Sequence, residues 1–338
     1  MNLPKHTIFI ILLLFSSACN KSGEILSECN ATNNLLKEFT DPDGNNFLVY
    51  DDGSVYENGT CEFIDNVFTP GFEEGLYMED QGKTFIISDD GARYETIRSF
   101  KEDFENRADW RDLFIQDLQD RNRFMTNLTL QSPVAKTKDE HHELRDCLLA
   151  QMCDFIDNKI EITKDPMDLN NTVLKFHSVA PSADMVTAKC SVNSSALYFP
   201  AGQDFWYRAR YYVEKGMPLT IVDFESSHLN RWGPRALIKN DDLVVENKFF
   251  EKIVYDQNQD RTYSFPTNQW VTLTVHFLYD DTNGIIQIWQ DGKLIIDHIG
   301  NNIPLNNWVQ DVLEIGITAT SEETILYVDD IEFRPDKL

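Results

Sequence analysis

From residue 171 onward, apolar and polar positions alternate in short runs broken by polar turns. Runs at 173–179, 196–199, 205–214, 219–225, 235–239, 243–249, 270–279, 285–290, 293–298, 313–318 and 324–333 predict strands. So many short strands of period two predict an antiparallel β-sandwich of the jelly-roll kind. The plainest hairpin is Ile288-Trp289-Gln290-Asp291-Gly292-Lys293-Leu294, with Asp-Gly at its turn. Upstream, 47–57 and 85–95 repeat one pattern, an apolar run, Asp-Asp-Gly and a second short run, which predicts two more β-hairpins. Asp51-Asp52 and Asp89-Asp90 fit turn chemistry better than calcium ligation, because the twelve-residue ligand spacing of an EF-hand is absent. Between 99 and 122, Phe100, Phe104, Trp110, Phe114 and Leu118 recur among charged residues and predict a helix, and a second short helix is expected over 144–155. The fold class is therefore mainly β: an antiparallel jelly-roll sandwich, a small N-terminal β-hairpin unit and two short helical segments.

The opening residues pass from Lys5 through an apolar run at 8–15 to small residues ending at Cys19, the layout of an export leader. That run is about half of the ~20 residues needed to span a bilayer. Ser16-Ser17-Ala18-Cys19 resembles the lipobox of bacterial lipoproteins, although Ser16 stands where an aliphatic residue is common. The resemblance implies a signal peptide over 1–18, a lipid on Cys19 and a membrane anchor that does not span. A polar tether over 19–35, the hairpin unit over 36–98 and the jelly roll over 99–338 would follow. The expected location is the cell envelope, as an outer-membrane lipoprotein on its periplasmic or surface face, with secretion as the alternative. In an oxidising compartment Cys29 with Cys61 and Cys147 with Cys153 are the expected disulfides, leaving Cys190 over. No Cys or His spacing suggests zinc.

Composition narrows the function. Of 338 residues 42% are hydrophobic and 12% aromatic, which excludes wholesale disorder. Lys plus Arg number 30 against 56 Asp plus Glu, a formal charge of −26, which repels a phosphate backbone and excludes general nucleic-acid binding. Against that background 206–240 is locally basic, holding Arg208, Arg210, Lys215, Arg231, Arg235 and Lys239 against Glu214, Asp223 and Glu225. In the strand that begins at Phe205, alternation puts Phe205, Tyr207, Ala209, Tyr211 and Val213 on a core face, and Trp206, Arg208, Arg210 and Tyr212 on the other. Aromatic planes stack on sugar rings, and guanidinium forks suit carboxylate or sulfate, so this second face is a candidate glycan groove. Its alternative is a solvated face whose Arg and Asp/Glu residues pair across strands.

The stretch from Val173 to Phe333 resembles a family of secreted bacterial polysaccharide-lyase-like proteins with the concanavalin A-like jelly-roll fold, akin to heparin, alginate and ulvan lyases. The matching text is Val173-Leu-Lys-Phe176, Ala180-Pro181, Phe205-Trp206 through Tyr212-Val-Glu214, Val222-Asp-Phe-Glu225, Gly233-Pro-Arg235, Leu243-Val-Val-Glu246-Asn-Lys248, Ile288-Trp-Gln-Asp-Gly292, Glu314-Ile-Gly-Ile-Thr-Ala319 and Tyr327-Val-Asp-Asp330. The resemblance implies β-elimination on a uronic-acid polysaccharide of the ulvan or alginate class. One group neutralises the substrate carboxylate, a base removes the C5 proton, and an acid protonates the leaving oxygen. Arg208 and Arg210 suit the neutraliser; His228 and His276 are candidate bases, each with a structural histidine as its alternative; Tyr212, Tyr255 and Tyr263 are candidate acids. Trp206, Arg235, Lys239, Tyr255 and Tyr263 would contact substrate.

The sequence departs from that family in three places. The Arg-Thr-Glu-Leu-Arg and Gln-Ile-His strands of common alginate lyases are missing, and Lys-x-Gly-x-Tyr appears as Glu314-Ile-Gly316-Ile-Thr318, without its tyrosine. A non-catalytic glycan-binding surface lipoprotein is the alternative. A third reading is a jelly-roll glycoside hydrolase using Asp223 and Glu225, which share a strand face. No cofactor is required, a structural calcium is compatible with the fold, no metal-binding residues are singled out, and a monomer is expected.

Overall fold

The computed structural model describes residues 29–30, 33–40, 46–50, 54–66, 77–80, 83–87, 93–115, 122–226, 233–248, 253–257, 263–303 and 308–338. The leader with Cys19, both Asp-Asp-Gly turns and His228 lie outside these residues. The chain divides into two compact units, Met1–Pro70 and Gly71–Leu338.

The first unit is an antiparallel meander of β1 (Leu35–Thr40), β2 (Asn46–Tyr50), β3 (Ser54–Glu57) and β4 (Phe63–Asn66). Leu48, Val49, Tyr50 and Val55 are buried, Tyr50 meets Tyr56 edge-on, and Cys29 is bonded to Cys61 as expected. The second copy of the repeat falls in β6 (Lys83–Ile87) and β7 (Arg93–Glu95), which with β5 (Tyr77–Asp80) make a three-stranded sheet within the second unit.

The remainder of the second unit is the sandwich. Its chain runs through β8 (Phe100–Glu102), β9 (Asn127–Thr129), helix α1 (Lys138–Leu149), β10 (Lys159–Lys164), β11 (Thr172–Ser178) and β12 (Ala188–Ser194). There follow β13 (Phe199–Pro200), β14 (Asp204–Lys215), β15 (Thr220–Glu225), β16 (Pro234–Lys239), β17 (Asp242–Asn247) and β18 (Ile253–Tyr255). It closes with β19 (Trp270–Leu278), β20 (Gly284–Gln290), β21 (Lys293–Gly300), β22 (Val309–Gln310), β23 (Val312–Thr320) and β24 (Thr324–Arg334). The first sheet is ordered β10-β11-β24-β14-β19-β20-β21, with β8 also on β24; the second is ordered β18-β17-β16-β15-β23-β12-β9. The antiparallel sandwich expected from the alternation is present.

The core lies between these sheets. Phe205 and Tyr207 of β14 and Phe277 of β19 meet Phe224 of β15 edge-on, with ring centroids 5.9, 5.5 and 5.0 Å apart. Burying each such ring contributes roughly 1.5–3 kcal/mol. The hydroxyls of Tyr207 and Tyr211 bond each other at 2.6 Å, so neither phenol is unpaired in that apolar layer.

Three expectations are corrected. Residues 99–115 are not helical: Phe100–Glu102 pairs with Ile331, Glu332 and Phe333 of β24, and only Trp110–Leu113 turns, as a 3₁₀ helix. Phe100 stacks on Phe124 and Phe333, and this long-range contact overrides the helical spacing. Helix α1 is shifted N-terminal of the expected 144–155, because Thr137 and Glu140 form a capping box that starts it early. Strands β9, β10, β12, β18 and β22 are not among the predicted runs. Cys147 and Cys153 are bonded, and Cys190 is free and buried, as the spacing suggested.

Candidate functional site

The face of β14 opposite the core holds Trp206, Arg208, Arg210 and Tyr212, and each is occupied by neighbours. Arg208 donates to Glu332 at 2.6 Å, and Arg210 lies 3.2 Å from Asp329 and 3.4 Å from Asp330, all on the adjacent β24. This is the cross-strand pairing that stood as the alternative. Trp206 is stacked on His276 at 4.0 Å and on Trp289 at 5.6 Å, and Tyr212 packs with Tyr327 and Trp270, so these rings offer little open plane to a sugar. Both ring nitrogens of His276 are engaged, Nε2 with Asp204 at 2.6 Å and Nδ1 with Gln287 at 3.0 Å, the environment of a structural histidine. A hollow of about 260 Å³ remains there, lined by Lys101, Arg208, Arg210, Thr272, Asp330 and Glu332.

The other sequence candidates do not join that face. Arg235 and Lys239 stand on β16, and Tyr255 on β18, both in the second sheet. Tyr255 packs on His298 of β21 at 4.5 Å, and Tyr263 lies under Lys293 with 4.8 Å to its ring. The basic stretch over 206–240 that suggested one groove is thus split between the two sheets of the sandwich.

The second sheet assembles something that was not foreseen. Asn127 of β9 lies opposite Asn193 of β12, Asn193 opposite Glu314 of β23, Glu314 opposite Asp223 of β15, Asp223 opposite Arg235 of β16, and Arg235 opposite Glu246 of β17. Residues directly opposite share a face, so six polar side chains form one row across six strands, advancing ~4.8 Å per strand. The row faces away from the core, since its strand neighbours Val192, Phe224, Ala236 and Val245 are the buried apolar set. Yet Asp223, Glu225, Glu246 and Glu314 are only 4–7% exposed.

Buried carboxylates require partners, and here most of the compensation comes from Lys248, which follows β17. Its Nζ is 2.7 Å from Asp223 Oδ1 and 2.6 Å from Glu225 Oε1. Close approach of the strands is permitted at Gly233, where a Cβ would collide with the Phe224 carbonyl oxygen. Arg235 Nε donates to Glu246 at 2.6 Å, and Ser191 donates to Glu314. Gly316, at φ 123, sits where β23 slips its register against β15, and a Cβ there would fall 2.7 Å from the Phe176 ring. Beyond it Thr318 donates to Thr220 at 2.7 Å.

These contacts separate the two acids. Burial raises Asp223, but the charge and hydrogen bond of Lys248, with help from Thr318, outweigh it and hold that carboxyl below its ordinary value. Glu225 is pushed up to about 7 by burial and by the charges of Asp223 and Glu314, against the opposing pull of Lys248. Between two carboxylates, Lys248 stays an ammonium well above neutrality despite its own burial.

Beside the cluster lies a hollow of about 200 Å³, lined by Lys189, Arg235, Lys248, Asp223 and the hydroxyls of Thr187, Thr220 and Thr318, with Leu219, Leu237 and Ala319. In a chain of net charge −26 it carries three cations and one carboxylate. Among the described residues the Lys189 ammonium makes no hydrogen bond or ion pair. Nearby in the row, the Asn193 amide is buried with neither its oxygen nor its nitrogen bonded. Sequence reasoning missed Lys248, Lys189, Asn193 and Glu314 as a group. For Lys248 there was a signal, because it repeats Glu246 at period two on an anticipated strand; Ala188–Ser194 has no apolar run to reveal its strand.

Among the described residues no group of three or more His, Cys, Asp or Glu side chains gathers as a metal site, and no helix is long and apolar enough to cross a membrane.

No protein-family model and no curated protein matches the chain. By structure it is similar to a cellulose-induced protein, 12% identical, covering 71% of this chain and 98% of that one at a TM-score of 0.47. It is similar to an endo-β-1,4-glucuronan lyase from the fungus Trichoderma reesei, 10% identical, covering 71% and 96% at 0.46. It is also similar to an alginate lyase of polysaccharide lyase family 7, 10% identical, covering 62% and 94% at 0.40. The likeness is one of sandwich architecture.

Proposed function

We propose that the protein is a polysaccharide lyase that cleaves a uronic-acid-containing polymer by β-elimination in the hollow of the second sheet. The observation that carries this reading is the convergence of Lys189, Arg235 and Lys248 on one hollow of an otherwise strongly acidic chain. A uronate carboxylate entering there meets the unpaired Lys189 together with Arg235 and Lys248. Elimination builds negative charge on that carboxylate as the C5 proton leaves, and fixed cations stabilise such charge most where water is excluded. Asp223, which lines the hollow and is held ionised, takes the proton. The Lys248 ammonium that it touches returns one to the leaving oxygen and is reprotonated by Asp223, while Glu225, outside the lining, shares that amine. The substrate class is the uronans, such as glucuronan, alginate or ulvan.

One observation favours a second reading, hydrolysis. Asp223 is held down while Glu225 is held near 7, the divergence expected of a nucleophile and an acid. Against it, both carboxylates grip the Lys248 amine and leave no gap between them for a glycosidic oxygen.

Incubation of purified protein with glucuronan, alginate, ulvan, pectin and heparin tests both. Ultraviolet absorbance of an unsaturated uronyl end is expected. New reducing ends without that chromophore would overturn elimination in favour of hydrolysis, and retention on immobilised polymer with neither product would leave binding alone. Export with lipid on Cys19 belongs to the same proposal and is checked by palmitate labelling of the wild type against Cys19→Ala.

A further inference from the structure

The polar row does not end at the edge strand. Asn127 Oδ1, at its β9 end, accepts from Arg145 Nη1 of α1 at 2.8 Å, and α1 packs on β9. Arg145 Nε is held by Asp146 at 2.8 Å, which leaves the Nη2 edge without a partner among the described residues. One turn before Arg145 on the same side of the helix stands His141, with His142 against it at 4.7 Å and Lys138 one turn earlier. The His141 Nδ1 is buried and has no hydrogen-bond partner. Lys138 and Arg145 from α1 and Lys189 from β12 are the cations that act on it, and the Asp146 carboxylate is taken by Arg145. Burial first, and then the neighbouring groups, push its imidazole down to about 4. The half-buried ring thus keeps an orphaned nitrogen beside cations, of which Lys189 has no ion-pair partner among the described residues.

We propose that His141 and Arg145 of α1, together with Lys189 of β12, form a second anion-binding site at the β9 end of the row, for a carboxylate or sulfate ester. That this acid group belongs to the polymer held in the neighbouring hollow rests on the function proposed above; the anion site itself does not. Lys189 links the two places, since it lines the hollow and its charge also acts on the His141 ring. A polyanion laid across the strands would therefore keep one acid group over the Lys248 cluster and another against α1.

The test is the titration of the His141 ring proton by nuclear magnetic resonance, assigned through His141→Gln. It is run in sodium glucuronate, in sodium sulfate, and in sodium chloride of matched ionic strength. A bound anion favours the imidazolium, so the midpoint is expected to rise by about one pKa unit in glucuronate or sulfate over chloride. That rise is expected to vanish in Arg145→Met. A shift in sulfate alone supports the site and assigns it to a sulfate ester. Equal midpoints in all three salts, or a rise that persists in Arg145→Met, overturn the proposal. Because the readout is the ring and not a product, a shift in a protein that cuts no polymer would refute the proposed reaction and leave this site standing.

Discussion

The Nζ of Lys248 lies 2.6 Å from Oε1 of Glu225, on a sheet face that points away from the core, with the Glu225 side chain 9% and the Lys248 side chain 19% exposed. Asp223 shares the same amine at 2.7 Å. One cation therefore compensates two buried acids.

Removing that cation leaves both acids unpaired. Lys248→Met is expected to destabilise the protein by about 3–5 kcal/mol, because breaking one side of a buried ion cluster strands the other charges. The triple variant Lys248→Met/Asp223→Asn/Glu225→Gln is expected to recover much of that loss. Chemical denaturation of the wild type and both variants measures it; equal midpoints for all three would refute the compensation argument.

The raised Glu225 gives stability a sign that differs from the usual carboxylate. Its folded value of about 7 exceeds the ordinary 4.5, so the folded state holds the proton more tightly. Its contribution is fully present below pH 4.5 and is lost as pH rises through about 7. Asp223, held below its ordinary 3.8, works oppositely and loses its contribution as pH falls below that value. Melting temperature measured from pH 4.5 to 7 is expected to fall less steeply in Glu225→Gln than in the wild type.

The lining acid sets a kinetic expectation. With Asp223 as the base, held below its ordinary 3.8, kcat/KM on the cleaved uronan is flat with pH above that value, and Asp223→Asn loses roughly 10²–10⁴-fold. A wild-type profile that rises through about 7 and flattens in Glu225→Gln would move the base to Glu225.

Lys189 forms no ion pair with a protein acid among the described residues and acts on Asp223 only at longer range, so its loss separates binding from folding. Lys189→Met is expected to cost about 1.5–3 kcal/mol in kcat/KM, the worth of a hydrogen bond to a charged group. Its stability is expected to stay within about 0.5 kcal/mol of wild type. Steady-state kinetics and denaturation on the same preparation check the pair of outcomes.

Arg208→Ala and Arg210→Ala discriminate between the two faces of the sandwich. With the reaction in the second sheet, neither is expected to change kcat/KM. Arg208 is 41% exposed, so its pair with Glu332 is worth about 0–1 kcal/mol. Arg210 faces the nearly inaccessible Asp329, which burial already raises to about 6, so its removal is expected to cost more stability. Loss of turnover with an intact fold in either variant would return the site to the first sheet.

Much of the architecture was legible because period-two alternation is local. It separated Phe205, Tyr207, Ala209, Tyr211 and Val213 from Trp206, Arg208, Arg210 and Tyr212 correctly, and it outlined most strands of both sheets. Helical spacing at Phe100, Phe104 and Trp110 misled, because the partners that make Phe100 a strand residue are Phe124 and Phe333, remote in the chain.

What the sequence determined by itself is what neighbouring residues decide: the sandwich class, the inward face of each well-patterned strand, the Asp-Gly hairpin and the two short-range cysteine pairs. Only the tertiary structure decided which outward faces meet. Asn193, Glu314, Asp223, Arg235 and Glu246 come from five strands scattered between residues 193 and 314, and their row exists through hydrogen-bond register alone. Moving one strand by a single residue would turn its side chain to the other face and dissolve the row, and no local pattern carries that register.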